Sequence, residues 1–269
     1  MMRNPSLAAG AAMVALLLLL AAVGPHLAAA NPLAIDLGRA LAPPSRTHPL
    51  GCDALGRDLL ARILWGARIS IGIAAAVVGV SLLVGSLIGG AAALAGGLTD
   101  ELLMRAVDVL LAFPGILLAI ALAAILGPGL VDLVIALAAM GWTGYARLVR
   151  GEILSLRERD YVQAARGLGA SPGRLLLLHL MPAVAAPVAV QASFGVSGII
   201  IAEAALSFLG LGIPPPQPTW GGMLDEGRAF MLVAPHLTTV PGLAIGLSVL
   251  GFNFLGDGLA QLFGRHRRR

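Results

Sequence analysis

The chain has 269 residues, 58 % of them hydrophobic and only 12 % charged, with a mean hydropathy of +0.90. Apolar usage in a soluble domain is nearer half, and this chain has too little polar sequence to cover a globule; it reads as an integral membrane protein. Its formal charge of +4 includes 18 basic residues, all arginine. Without lysine it can form neither a P-loop nor a Schiff base, and a lone Cys52 excludes an intrachain disulfide framework. The arginines bracket apolar runs instead of forming a stripe with aromatics, which argues for membrane orientation and against nucleic acid.

Residues 1–30 carry the first apolar run, 7–23, after Arg3. It is long enough to span a bilayer and also mimics a signal peptide, with Leu27-Ala28-Ala29-Ala30 as a cleavage-like site; an uncleaved anchor is expected. Residues 31–67, with Pro32, Pro43, Pro44 and Pro49, are too irregular to cross lipid. Within them an amphipathic helix is expected from Asp53 to Trp65, supported by Asp58 and Arg62 at i, i+4. The membrane core is expected over 68–263. Its second span, 69–98, has no charge and a small-residue face suited to close helix packing. Thr99-Asp100-Glu101 reads as a turn, and a third span over 104–126 is kinked at Pro114-Gly115. A fourth span covers 131–149, a fifth 183–212 and a sixth 235–263, with Asp225, Glu226 and Arg228 left in water. Residues 264–269 form a basic tail against anionic headgroups. Six spans result. With the N-terminus inside, Arg3, Arg105, Arg147, Arg150, Arg157, Arg159, Arg166, Arg174 and four tail arginines face the cytoplasm, against six arginines outside.

Between the fourth and fifth spans lies the polar stretch 157–182. Asp160 can N-cap a short helix, with Gln163 closing a weak capping box. Tyr161 opens that helix, and Val162, Ala165 and Leu168 share one of its sides. Gly169 suits a left-handed terminating residue, and Ser171-Pro172 reads as the cap and first position of a new helix. Glu203 is the sharpest signal inside a span, since a carboxylate there costs several kcal/mol unless paired, protonated or wetted. It is a candidate pathway or gate residue, or else a structural hydrogen-bonding one facing a partner subunit. Asp108 and Asp132 fall near span ends, His179 reads as a structural hydrogen-bonding residue, and the scattered histidines support no metal site. Neither HExxH nor GxSxG occurs, so no catalytic residues are assigned.

Gln163-Ala164-Ala165, Gly169 and Met181-Pro182 resemble the coupling loop of importer-type ABC transporter permeases. The stretches HPLGCDALGRDLLARILWGARIS from His48, AEAALSFLGLG from Ala202 and PTWGGML from Pro218 are similar to the second, C-type subunit of the dipeptide, oligopeptide and nickel branch. The resemblance covers residue 48 to the C-terminus. It departs at Gln163, where the family usually has Glu. It implies an all-α membrane protein of six transmembrane helices with a cytoplasmic coupling-helix loop, in a bacterial inner membrane with both termini cytoplasmic. Asp160, Tyr161, Gln163, Ala164, Ala165, Gly169, Ser171 and Pro182 would make the ATPase contact. The implied partners are a B-type permease, two ATP-binding subunits holding ATP and magnesium, an extracytoplasmic binding protein and membrane lipid. This chain itself would bind no cofactor and be no enzyme. Di- or oligopeptides are the implied cargo, with glutathione or nickel-chelate import in the same family as an alternative. An ion-coupled secondary transporter would rest on Glu203 alone.

Overall fold

The computed structural model describes residues 4–28 and 30–266, and every regular element among them is helical. Arg3, Arg267, Arg268 and Arg269, on which part of the orientation argument and the basic tail rest, lie outside the described residues. α1 (Pro5–Leu27), α2 (Leu59–Ala95), α5 (Leu130–Leu156), α8 (Met181–Phe208) and α10 (His236–His266) are long and apolar. Lipid offers no partner to a backbone N–H or C=O, so apolar runs of this length close their hydrogen bonds as helices. α3 (Gly97–Ala112) and α4 (Gly115–Leu126) are shorter, while α6 (Asp160–Gly167), α7 (Pro172–Arg174) and α9 (Trp220–Arg228) lie in the connections. A wide π-helical stretch, Leu175–Leu180, joins α7 to α8 without a break.

Packing fixes the direction of each long helix. Ser81 lies against Gly141, Gly85 against Trp142 and Tyr145, and Gly89 against Ala146, so α2 and α5 run parallel. α1 is antiparallel to α10, with Gly10 on Leu255 and Leu7 on Gly258. α8 is antiparallel to α10, where the Ser197 hydroxyl donates to the Val249 carbonyl at 3.2 Å, and to α2, where Val78 meets Gly195. Since α2 and α5 are parallel, the α3–α4 segment between them must carry the chain back, which makes six crossings. Both described ends and the 157–171 connection then share one face; residues 31–58 and 209–235 share the other. The α2–α5 seam is close because its glycines lack side chains. A Cβ at Gly85 would lie 2.6 Å from that of Tyr145, and one at Gly89 would collide with the Ala146 carbonyl.

Several expectations are corrected. No separate amphipathic helix begins at Asp53. Gly56 takes a left-handed φ of +72°, and residues 53–57 form a turn whose Leu55 and Arg57 amides donate to the Asp53 carboxylate at 2.9 and 3.0 Å. Asp58 is the N-cap of α2, accepting from the Ala61 amide at 2.7 Å, so its side chain is spent on the cap and on His48 and does not pair with Arg62. The second helix thus starts ten residues before the expected span and runs for 37 residues. At 1.5 Å per residue that is about 55 Å, well beyond a hydrocarbon core of about 30 Å. Thr99-Asp100-Glu101 are helical, and the chain turns earlier, at Gly96 and Gly97, both at positive φ. The proline break at 113–114 is a bend of 87°. Arg150 binds Asp100 and Arg147 binds Asp108, so eight residues of α3 cover only three of α5. α3 therefore crosses α5 steeply, while α4 buries Ala119 and Ala123 against Leu133 and Leu137.

Candidate functional site

The connection between α5 and α8 is a compact knob. Arg159 adopts the extended cap conformation and Asp160 is the first helical residue, so the expected Asp160 cap and capping box do not form. Asp160 still places a carboxylate in the first turn, where the helix dipole favours it. The Gln163 amide donates to the Arg157 carbonyl at 2.9 Å, tying the start of α6 to the end of α5. A glutamate could not donate that bond, which gives the Gln163 departure a physical role. At the far end the Ala170 amide donates to the Ala165 carbonyl at 3.1 Å and the Gly169 amide to that of Arg166 at 2.9 Å, with Gly169 at φ +81°. This is a Schellman closure, as the glycine implies. Ser171 then caps α7, accepting from the Arg174 amide, with Pro172 at its first position.

One side chain roots the knob. Val162, 1 % exposed, sits with Ala93 of α2, Val149 and Ile153 of α5, Leu175 and Leu180 of the π stretch, and Val184 and Val188 of α8. Ala165 packs at the edge of this cluster. Leu168, expected on the same side, is instead 90 % exposed because the Schellman turn rolls it outward. Tyr161, Gln163, Ala164 and Arg166 are also exposed, so α6 offers a mixed apolar and basic face to whatever docks there. Pro182 is exposed in the first turn of α8, and His179 lies one turn before it, its Nδ1 3.4 Å from the Arg174 carbonyl.

Glu203 is completely buried within this chain. The Ser207 hydroxyl donates to its Oε1 at 2.9 Å and the Ser70 hydroxyl to its Oε2 at 3.4 Å; the Ser70 Oγ in turn accepts the Trp220 amide at 3.2 Å. The carboxyl therefore links α8, α2 and the start of α9, satisfying the requirement that a buried polar group be hydrogen-bonded. Asp108 is half-exposed beside Arg147, and Asp132 lies in the first turn of α5.

Sequence reasoning missed an ionic cluster above these spans. Arg57 binds Asp53 at 2.6 Å and Glu226 at 2.7 Å; Arg62 binds the same Glu226 oxygen at 2.8 Å. Glu226 is not left in water as expected but ties α9 to the start of α2 across 169 and 164 residues of sequence. Such separations leave no local pattern to read. Gln191 was missed too: it stands exposed on α8, lining a cavity of about 540 Å³ with Leu148, Pro187, Phe194 and Phe263. An amide in an otherwise apolar span is the signal that could have found it.

Six apolar crossings, a knob rooted in three of them and a match over residues 81–269 to the model for the binding-protein-dependent transport system inner membrane component decide the affiliation. The chain belongs to that family. Among curated members, it is 47 % identical over 216 residues to the glutathione transport system permease protein GsiD of Pectobacterium atrosepticum, covering 80 % of this chain and 72 % of the relative. The GsiD proteins of Shigella dysenteriae and Escherichia coli O157:H7 are 46 % and 45 % identical over the same length, covering 80 % of this chain and 71 % of each relative. This permease is thus a multi-pass inner-membrane subunit of an ABC importer. The family match begins within α2, so α1 and the 31–58 segment lie before it.

Proposed function

We propose that this permease subunit imports a small peptide of the glutathione class, working with a B-type permease, two ATP-binding subunits and an extracytoplasmic binding protein. The rooting of α6 through Val162 carries the reading. A knob whose buried α6 side chain belongs to one apolar cluster with α2, α5 and α8 is coupled to all three, so it suits a lever between a soluble motor and a membrane bundle. The exposed face of Tyr161, Gln163, Ala164, Arg166 and Leu168 is the docking surface for an ATP-binding subunit, with Gly169 and Ser171 setting its angle. ATP and magnesium act on those partners. Nucleotide binding must favour one bundle state over the other by its differential affinity, and the lever transmits that preference. The knob then faces the cytoplasm together with both termini, as the arginine imbalance implies. The relatives named for glutathione transport support the cargo class.

The test is uptake of labelled glutathione by vesicles carrying the assembled importer, supplied with ATP and binding protein but no ion gradient. ATP-dependent accumulation is expected. Accumulation driven by a proton or sodium gradient without ATP would overturn the reading.

A further inference from the structure

At the extracytoplasmic end of α2, on the face opposite the Glu203 node, lies a cavity of about 580 Å³. That is within the range of about 300–1,000 Å³ usual for small-molecule sites. Its floor is Ile69, Gly72, Ile73 and Ala76 of α2 with Leu130 and Val134 of α5. The segments 31–33 and 217–218, both outside the spans, form two of its walls and open it toward the extracytoplasmic side.

The polar groups of the lining are all able to donate, and none is acidic. Arg68 is exposed and, like Arg46 outside the cavity, has no carboxylate partner among the described residues, whereas Arg39, Arg57, Arg62 and Arg228 at the same end are each paired. Trp65 lies one turn before Arg68 on α2. Asn31 uses its Oδ1 to accept the Leu33 amide at 2.9 Å, which leaves its NH₂ for another acceptor. Gln217 is exposed on the opposite wall. An unpaired guanidinium, two amides and an indole around an apolar floor complement a molecule with an anionic, acceptor-rich end and a compact apolar body.

We propose that this cavity receives a small anionic peptide on its way into the translocation path, with Arg68 as the charge partner of a peptide carboxylate. The proposal rests on the peptide-import reading above and names the residues that recognise the cargo within this chain. It also supplies a link to the bundle: Gln217 and Pro218 directly precede Thr219, the N-cap of α9, and Trp220, whose amide is held by Ser70. A ligand pressing on that wall acts on the junction that Glu203 secures.

The experiment uses the assembled importer in vesicles with its binding protein. Uptake of glutathione and of its diethyl ester is measured against concentration for wild type, Arg68→Gln and Arg68→Lys. A charge-assisted hydrogen bond is lost in the first variant, so the half-saturating glutathione concentration should rise by roughly tenfold or more, with Lys restoring part of it. The ester, lacking the carboxylates, should be affected far less. In parallel, a photoreactive glutathione conjugate should label the α2 segment 65–76 in wild type and lose that label in Arg68→Gln. Four outcomes overturn the proposal: unchanged uptake and labelling, labelling confined to another part of the chain, equal loss for both substrates that follows the anionic-lipid content of the vesicles, or loss of the partner permease on purification. If wild type imports glutathione but Arg68→Gln matches it, this inference alone fails; if wild type imports no small peptide, the functional reading fails with it.

Discussion

Replacing Gly169 tests the lever directly. The residue sits at φ +81° in the Schellman closure of α6, and a Cβ built on it meets nothing within 4 Å. The insult is therefore backbone strain alone, with no steric clash and no lost packing. Forcing an L-residue into the left-handed region costs about 1–2 kcal/mol, and more for a β-branched one. At 1.4 kcal/mol per tenfold, Gly169→Ala should reduce the population of correctly aimed knob by about tenfold, and Gly169→Val by more. Asn tolerates this conformation through its short polar side chain, so Gly169→Asn should stay near wild type despite being larger than Ala. Expression and membrane insertion should be equal throughout, because no span is touched. The assay is ATP-driven uptake together with co-purification of the ATP-binding subunit for all four proteins in the same membranes. The expected order is Gly, Asn, Ala, Val. An order following side-chain size, or full activity in Val, would refute the reasoning.

Other expectations follow from the same geometry. Glu203→Gln should keep most of the Ser70–Glu203–Ser207 bonding and retain assembly, whereas Glu203→Ala strips two hydroxyls of their buried acceptor and should cost about 1–3 kcal/mol, read as a lower melting temperature of the purified complex. Equal melting temperatures for wild type and Ala would remove the structural role. Glu226→Ala leaves Arg57 and Arg62 buried and short of charge, so a loss of about 3–5 kcal/mol is expected, and proteolysis of the 209–235 segment should accelerate. A cysteine at Ser45 should react with an impermeant maleimide from outside and one at Ser155 only after permeabilisation; the reverse pattern would invert the orientation. Cys52 needs no removal for that experiment: it is fully buried, and burial, reinforced by Asp58 and Asp53, pushes its thiol above the ordinary value, so it should stay unlabelled at neutral pH until the fold is opened.

What could be read from residues was what has a local or periodic signature. The six crossings follow from apolar runs, the Gly169 elbow from a glycine behind a short polar helix, and the Ser171-Pro172 restart from cap chemistry. Boundaries were less legible, because a hydrophobic run reports the lipid-facing part of a helix and not where its hydrogen bonding begins; α2 starts at Asp58, where a carboxylate is free to cap, well before the sequence turns apolar. Pro114 marked the place of the third-span break but not its angle, which is set by α4 lying along α5 while two arginine pairs pull α3 across it. The partners of Glu203 on α2 and α9 left no local signature, since Ser70 lies 133 residues away, and the Glu226 cluster joins segments that share no sequence neighbourhood.

The π-helical stretch before α8 has a consequence for rotation. It places Leu175 and Leu180, five residues apart, on the same buried side, where a regular helix would repeat after three or four. One residue is thereby held in surplus between the knob and the fifth crossing. Removing any one residue from 176–179 would let the stretch relax to a regular helix in which the two leucines, then four apart, still share a side, so the knob would keep its direction. The span would keep its insertion and its length to within about 1.5 Å, whereas a residue removed from the regular part of α8 would turn the knob by about 100°. The wide turn thus lets the sequence between knob and bundle change length by one residue while the angle between them is kept.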